Sequence, residues 1–572
     1  MSHKRLCKIT SSSVLLVLFI VLMGCSGEGG YIKTTAEDKF EVGKDEQRPN
    51  IVVIVADDLG MADIGAFGSE IPTPNIDALA KSGVQLTNFH TAPTCSPTRA
   101  MLLSGTDNHQ AGIGAMKEFM GSSARYLLEK PGYEGYLNNR VATLPEVMAE
   151  AGYETLMVGK WHLGYKEDQV PSARGFQRSF TLLEGGAGHF DDFSMMPFAK
   201  KATYLENGKP ATLPQNFYSS PFYTNKMAQY IDERDSTKPF LSYLAYTAPH
   251  WPLQAPDASI AKFKGKYDEG YEVLLANRVA NQKKMGLIPE STDVPELPKN
   301  LKPWASLTAE EQKISARKME IYAAMVSDLD AAIGDFVSHL KEKGLYENTI
   351  IFFFSDNGTE YNTPESRVYR KFLPEYVKAC CDNSYENMGK INSYVMYGPE
   401  WARAGSGVHR LYKGSTAQGG INTPAFVHFP KMVNAKKYDG FVSVMDLMPT
   451  MIELGNAKHP YSAGNTENNV LPMRGSSMVD MLTSKDGRVH NDDYVMGFEL
   501  HGGKAIRKGH WKILLLNPPA GTGQWQLYNL ANDPAEQIDL SESNPEKLEE
   551  LKLAWEEYSK AVGVQAIRPL QK

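Results

Sequence analysis

The stretch Ile51-Val52-Val53-Ile54-Val55-Ala56-Asp57-Asp58-Leu59-Gly60 decides how the rest of the chain is read. Five of its first six residues are β-branched and none is polar. Such a run reads as a strand buried on both faces, the kind found in a parallel sheet covered by helices. Two carboxylates stand where the chain leaves it. The same grammar recurs three times. Glu154-Thr155-Leu156-Met157-Val158-Gly159 precedes Lys160-Trp161-His162-Leu163-Gly164. Phe240-Leu241-Ser242-Tyr243-Leu244-Ala245-Tyr246 precedes Thr247-Ala248-Pro249-His250-Trp251-Pro252. Thr349-Ile350-Ile351-Phe352-Phe353-Phe354 precedes Ser355-Asp356-Asn357-Gly358, and Ala425-Phe426-Val427-His428-Phe429 is a fifth apolar run.

Amphipathic stretches at 75–82, 144–151 and 316–343 lie between these runs, the last with Ile321, Met325, Leu329 and Ile333 on one face. Strand–helix alternation predicts an α/β fold, a large, mostly parallel sheet flanked by helices. In open α/β sheets the ligand lies beyond the carboxyl ends of the strands. Each polar cluster alone reads as a turn, a cap or a snorkelling lysine. Four at equivalent places bring carboxylates, a lysine, two histidines and an amide to one edge.

The pattern changes after about residue 485. Short candidate strands at 493–499, 503–508, 510–516 and 524–528 predict a small antiparallel sheet. A helix over 544–562 follows, with Asn544 as cap and Pro545 at its first position. The expected organisation is therefore a catalytic α/β domain over 50–485 and a sheet-plus-helix domain over 486–572.

The chain has 572 residues, 42% of them hydrophobic, with a net charge of −7 and no basic block, which argues against a nucleic-acid partner. Its five cysteines, at 7, 25, 95, 380 and 381, are too few for a disulfide framework. Cys380 and Cys381 are adjacent and read as packed or half-exposed thiols. His3, Lys4, Arg5 and Lys8 form a basic head before an apolar run over 14–23, too short to span a bilayer. Leu22-Met23-Gly24-Cys25-Ser26 resembles a bacterial lipobox. The expectation is a signal peptide over 1–25 with lipidation at Cys25, a tether over 26–49, and an exported bacterial lipoprotein, periplasmic or held at the outer membrane only through its lipid.

Cys95-Ser96-Pro97-Thr98-Arg99 opens another apolar-spaced segment and reads as the mouth of a helix, with Pro97 in its first turn. A helix mouth attracts anions, and Arg99 adds a planar fork of donors suited to an oxyanion. A thiol there is a nucleophile or the precursor of one; alone, it is more often a small buried hydrophobe. With Ser104-Gly105 downstream, this segment resembles the signature of the type I, formylglycine-dependent sulfatases of the alkaline phosphatase superfamily. The likeness extends over about residues 49–564. Gly132-Tyr133-Glu134-Gly135, the Thr247 to Pro256 stretch, Asp382-Asn383-Ser384 and Glu386-Asn387 look like bacterial arylsulfatases in particular.

Asp57, Asp58, Asp356 and Asn357 offer only oxygen donors, which favours a hard cation, calcium or magnesium, over zinc. The resemblance matches these four positions and implies calcium, with residue 95 completing the shell. Arg99, Lys160 and Lys413 offset the three aspartates, so a divalent ion leaves about two positive charges for an anionic substrate. Lys413, in Arg410-Leu411-Tyr412-Lys413-Gly414 before Gln418-Gly419-Gly420-Ile421, matches the family's late active-site lysine; most lysines in such a stretch are surface residues.

The resemblance implies hydrolysis of aryl or small alkyl sulfate esters. Cys95 would become formylglycine (3-oxoalanine), made by a separate formylglycine-generating enzyme. One hydroxyl of its hydrate attacks sulfur, Arg99 and Lys160 orient that diol, and Lys160, Lys413 and the metal hold the sulfuryl group. His250 protonates the leaving alcohol with help from Lys413, and His162 takes the proton that frees sulfate. Carbohydrate sulfatases and phosphonate monoester or phosphodiester hydrolases are alternatives within the superfamily. A metal-holding lipoprotein that only binds sulfated glycans is a third, and it needs neither acid nor nucleophile. The loops 186–221 and 257–302, polar and proline-rich, are expected to shape the pocket.

Overall fold

A computed structural model describes residues 48–128, 130–431, 435–461, 470–484 and 487–566. The signal segment with Cys25 and the tether as far as residue 47 lie outside the described residues. One ten-stranded sheet organises the molecule. Its strands are β1 (Asn50–Ala56), β2 (Val84–Leu86), β3 (Glu154–Lys160), β4 (Arg178–Leu182), β5 (Tyr204–Glu206), β6 (Lys209–Pro210), β7 (Phe240–Ala245), β8 (Thr349–Ser355), β9 (Ala425–His428) and β10 (Lys436–Tyr438). They lie in the order β10-β2-β9-β8-β1-β7-β3-β4-β5-β6. The central block β8-β1-β7-β3-β4 is parallel throughout. The four strands whose ends carry the polar clusters are thus neighbours pointing the same way. The fifth apolar run, β9, is antiparallel to β8. A buried apolar run reports burial, and strand direction has to come from the connection.

Both faces of the sheet are covered, as continuous apolar strands require. Val52, Ile54 and Ala56 pack with one layer of helices, which contains α1 (Pro74–Ser82), α4 (Ser219–Asp232) and α5 (Ala309–Glu342). Ile51, Val53 and Val55 face the other layer, which contains α2 (Cys95–Ser104) and α3 (Leu144–Glu150). Helix α5 starts earlier than its apolar spacing indicates. Thr308 and Glu311 form a capping box, with Glu311 N–H donating to Thr308 Oγ1 at 3.2 Å and Thr308 N–H donating to Glu311 Oε2 at 2.8 Å. Its first turns are polar and carry no periodicity to read.

The C-terminal strands form a separate antiparallel sheet, β11 (Val495–Leu500), β12 (Gly503–Lys508), β13 (Trp511–Leu515) and β14 (Gln526–Asn529). Ile506, Ile513 and Leu527 on one face pack against Leu551, Trp555 and Tyr558 of α6 (Pro545–Val562). Met496, Phe498, Ala505 and Leu514 on the other join the apolar layer beneath α2 and α3. Asn544 occupies the cap position of α6, but its side chain makes no cap bond.

Two expectations need correcting. Cys380 and Cys381 are not thiols; they are joined to each other in a disulfide. The 257–302 segment does not reach the catalytic cavity. It forms core instead: Tyr271, Leu275 and Val279 pack beneath the sheet, and Arg278 donates to Asp63 and Glu70. No helix among the described residues is long and apolar enough to cross a membrane.

Candidate active site

The register of the parallel block sets the strand ends level. Ala56 pairs with Ser355, and Ala245 pairs with both Val55 and Gly159. The residues that follow converge on one buried cluster. Asp57 accepts from Lys160 Nζ at 2.7 and 2.9 Å. Asp58 bends back in the left-handed region, φ 67°, and its N–H donates to Asp356 Oδ1 at 3.3 Å. Asp356 Oδ2 takes a fork from Arg99, Nη2 at 2.7 Å and Nε at 3.0 Å, while Arg99 Nη1 donates to the Lys160 carbonyl at 2.9 Å. Asn357 Nδ2 donates to Asp58 Oδ1 at 2.7 Å.

Cys95 is the first residue of α2, a helix whose ten residues are all buried. Its Sγ lies 3.5 Å from Asp57 Oδ1 and 3.8 Å from Asp58 Oδ1. Thr94 stands at the cap position without using its hydroxyl, and both Thr94 Oγ1 and Ser96 Oγ are buried without partners. The helix mouth therefore keeps donors in reserve beside Cys95.

Lys413 is held by the Gly419–Gly420 pair behind it. A Cβ on Gly419 would sit 2.0 Å from the Leu411 carbonyl oxygen, and one on Gly420 would sit 2.0 Å from that of Ser415. Only glycine lets the 411–415 loop fold this closely onto the entry of β9. Lys413 Nζ then bridges Asp58, at 2.8 and 2.9 Å, and Glu360, at 3.0 Å. His250 Nδ1 shares its hydrogen with the Trp251 carbonyl at 2.6 Å, so Nε2 faces Asp58 at 3.5 Å. His162, at φ 57°, sets Nε2 against Glu118 at 3.3 Å, and its Nδ1 is buried without a partner. Of the predicted site residues, the four metal-ligand candidates, Cys95, Arg99, Lys160, His250 and Lys413 meet in one cluster, His162 lines the cavity beside Cys95, and Cys25 lies outside the described residues.

The electrostatics follow from burial. Desolvation pushes the Asp58 carboxyl up to about 7, against the pull of Lys413. It raises Asp57 as well, against the pull of Lys160. Burial alone would raise Asp356 too, but Arg99, then Lys160 and Lys413, outweigh it and hold that carboxyl below its ordinary range. Burial, with Asp356 next, pushes the Cys95 thiol well up. Burial, then Lys413 and Lys160, keep His250 far below the usual imidazole value.

The cluster suits a hard divalent cation. Single ligand atoms of Asp57, Asp58, Cys95 and His250 lie within 4.8 Å of one another, and Asn357 Oδ1 is a buried acceptor with no donor. A cation among these oxygens would satisfy that acceptor and relieve the crowded carboxylates.

Reading the sequence overlooked four contributors. Glu360 is a fourth buried carboxylate; counting it leaves a divalent ion and three cations with one positive charge in excess rather than two. It stands four residues beyond Asp356, after the same strand, which was its signal. Glu118 pairs with His162 and also accepts from Tyr165 OH at 2.6 Å; its His162 partner brings the carboxyl down to about 2, although burial opposes this. Nothing in its local sequence marks it. Trp251, next to His250, donates Nε1 to Glu360 at 3.1 Å. Glu536, between β14 and α6, accepts from Lys512 at 2.6 Å and from the Gln418 N–H at 2.8 Å. It thereby braces the stretch that presents Lys413.

A sulfatase family model matches residues 49–457. An uncharacterized sulfatase of Schizosaccharomyces pombe is 45% identical over 92% of this chain and 96% of its own length. An arylsulfatase of Klebsiella aerogenes is 40% identical over 77% of this chain and 93% of its own. Among solved structures, Ps i-CgsB in complex with k-i-k-neocarrahexaose superposes with a TM-score of 0.63 at 27% identity, covering 90% of this chain and 93% of that one. With level strand ends, a fork on Asp356 and a cysteine at a helix mouth, the chain belongs to the sulfatase family, within the alkaline phosphatase-like superfamily, and is a sulfuric ester hydrolase.

Proposed function

We propose that the chain hydrolyses sulfate esters of aryl or small alkyl alcohols, with Cys95 converted to formylglycine and a calcium ion held by Asp57, Asp58, Asp356 and Asn357. The observation that carries this reading is the convergence of Cys95, Arg99, Lys160, His250 and Lys413 on that oxygen cluster, beyond four neighbouring strand ends, with His162 lining the same cavity. The calcium would polarise sulfate oxygens, and the hydrated aldehyde would supply one hydroxyl to attack sulfur and a second to release sulfate. As a thiol held protonated by burial, Cys95 itself is a poor nucleophile.

The remaining roles belong to side chains present in the fold. Arg99 is fixed by Asp356 and by the Lys160 carbonyl, so its orientation is set before substrate arrives. Lys160, on Asp57, and Lys413, on Asp58, supply charge to the sulfuryl oxygens. His250 Nε2 faces the cluster with Lys413 beside it; since Nδ1 keeps its hydrogen on the Trp251 carbonyl, Nε2 would hand a proton to the departing oxygen only after taking one up in the presence of the bound anion. His162, steadied by Glu118, takes the proton whose loss frees sulfate.

The test is the matured protein, co-expressed with a formylglycine-generating enzyme, assayed on 4-nitrophenyl sulfate with Cys95→Ala alongside. Mass spectrometry of the tryptic peptide spanning residue 95 should show the aldehyde in active protein. Full activity with thiol alone would defeat the mechanism. A carbohydrate sulfatase is the second reading, favoured by Ps i-CgsB and its bound carbohydrate. Turnover of a sulfated sugar at rates above those of aryl sulfates would select it. The export reading is carried by the lipobox-like segment at Cys25, and palmitate labelling of wild type but not Cys25→Ala would support it.

A further inference from the structure

The cavity above Cys95, about 140 Å³, changes character between its floor and its mouth. Cys95, His250 and Lys413 line it from buried positions. Another part of the lining carries Met195, Met196, Phe198, Val368, Tyr369 and Phe372. Phe198 is 71% exposed and Val368 37%, so these apolar side chains form the mouth. Phe198 is the most exposed large apolar side chain among the described residues. A single exposed hydrophobe is ordinary, but a contiguous apolar patch beside a reactive centre marks a surface that something covers. Among the described lining residues Lys413 is the sole lysine or arginine, and it is already shared by two carboxylates. A polyanionic chain would find no further cation here.

The segment that presents Phe198 is pinned to the fold. Tyr376 OH donates to the Ser194 carbonyl at 2.7 Å, and Tyr394 OH donates to the Met195 carbonyl at 2.6 Å. Phe372, at the cap position of the helix Leu373–Cys380, lies 5.4 Å from Phe198 between ring centroids, within the range of a favourable aromatic pair. Behind this pair Met195, Trp251, Leu373, Val377, Tyr394 and Met396 form one buried cluster. Trp251 ties that cluster to the charged one: its ring lies 5.8 Å from that of Tyr369, and its Nε1 donates to Glu360, the partner of Lys413. The apolar mouth and the charged floor are thus built on one packed unit. A surface held in place beforehand loses little freedom when a ligand covers it.

We infer that Phe198 and Phe372 form an outer apolar subsite, and that the enzyme prefers sulfate esters whose alcohol carries a second ring or a comparable hydrocarbon body beyond the first. The inference rests on the sulfate-ester reading above and narrows it. With the sulfate group at Cys95, the alcohol part extends towards the mouth, because the floor is closed by buried side chains. A flat apolar ring there would cover the exposed face of Phe198 and gain from leaving water.

Phenyl sulfate and biphenyl-4-yl sulfate release phenols of similar acidity, so the ratio of their kcat/KM values reads the second ring. In the matured enzyme that ratio should favour the biphenyl ester about tenfold, chiefly through KM, as one well-covered apolar group contributes. Phe198→Ser should bring the ratio to within about twofold of unity, and Phe198→Leu, which keeps apolar bulk, should retain part of the preference. Biphenyl-4-sulfonate and benzenesulfonate cannot be hydrolysed at sulfur, and titrating both into wild type and Phe198→Ser by calorimetry gives the same comparison without turnover. A ratio near one in wild type, or one that Phe198→Ser leaves unchanged, would overturn the inference. Turnover of neither ester defeats the sulfate-ester reading, and the sulfonate comparison then decides the apolar subsite by itself.

Discussion

Lys413, itself buried, touches two carboxylates at once, so its loss affects both the charge offered to substrate and the stability of the site. Lys413→Ala should lower kcat on 4-nitrophenyl sulfate by about 10²–10³, the usual cost of losing one preorganised donor. It also strands Asp58 and Glu360 as unpaired buried charges, at a cost of about 3 kcal/mol in urea unfolding. Adding Glu360→Gln should restore much of that stability and none of the activity, which separates the two contributions. Asn357→Ala removes the acceptor that no protein donor serves. Calcium titration should show affinity lower by at least about tenfold, the lower end of what even outer-shell metal partners contribute. The residues most legible in the sequence were those directly after apolar strands, because burial of the strand fixes where its end must be. Glu118 gave no such signal. It reaches the cavity from an element whose position depends on packing that no local pattern encodes.

The hairpin β11–β12 is tied to the body by a buried cluster. His109 stands between Asp107 Oδ1, at 2.9 Å, and Glu499 Oε2, at 3.2 Å, and Tyr558 of α6 donates to Asp107 Oδ2 at 2.7 Å. Burial alone would lower the His109 pKa, but its two carboxylate partners raise it to about 9. The folded value lies above the unfolded one of about 6.5. The stabilisation, on the order of 3 kcal/mol, is therefore complete below about pH 6.5 and lost as pH rises through about 9. The difference in Tm between wild type and His109→Gln should be largest near pH 6 and narrow towards pH 10. A gap that widens with pH would contradict the charged assignment. The five long apolar strands β1, β3, β7, β8 and β9 and the small second sheet were legible from apolar runs and turn spacing, whereas β2, β4, β5, β6 and β10, short or interrupted by polar residues, were not. The antiparallel course of β9 was not, since an apolar run is silent about direction. The bond between Cys380 and Cys381 was not either, since adjacency alone does not distinguish two thiols from a closed ring.

Taken as one body, the sheet edge crowds Asp57, Asp58, Asp356 and Glu360 into a desolvated space, and a divalent ion would bind the folded chain alone. Chelation with EDTA should therefore lower Tm, and returning calcium at about a hundredfold excess over Kd should restore about 2.7 kcal/mol. Magnesium, which sheds water reluctantly and demands tighter octahedral geometry, should restore less. The burial of Cys95 has one more consequence. At 1% exposure, on the first residue of a helix with no exposed residue, Cys95 offers almost no surface to another protein in the folded chain. A catalyst that converted this thiol would have to meet it on the unfolded polypeptide, and maturation and folding would then run as a race. Substitutions that hasten collapse would then yield more protein and less enzyme.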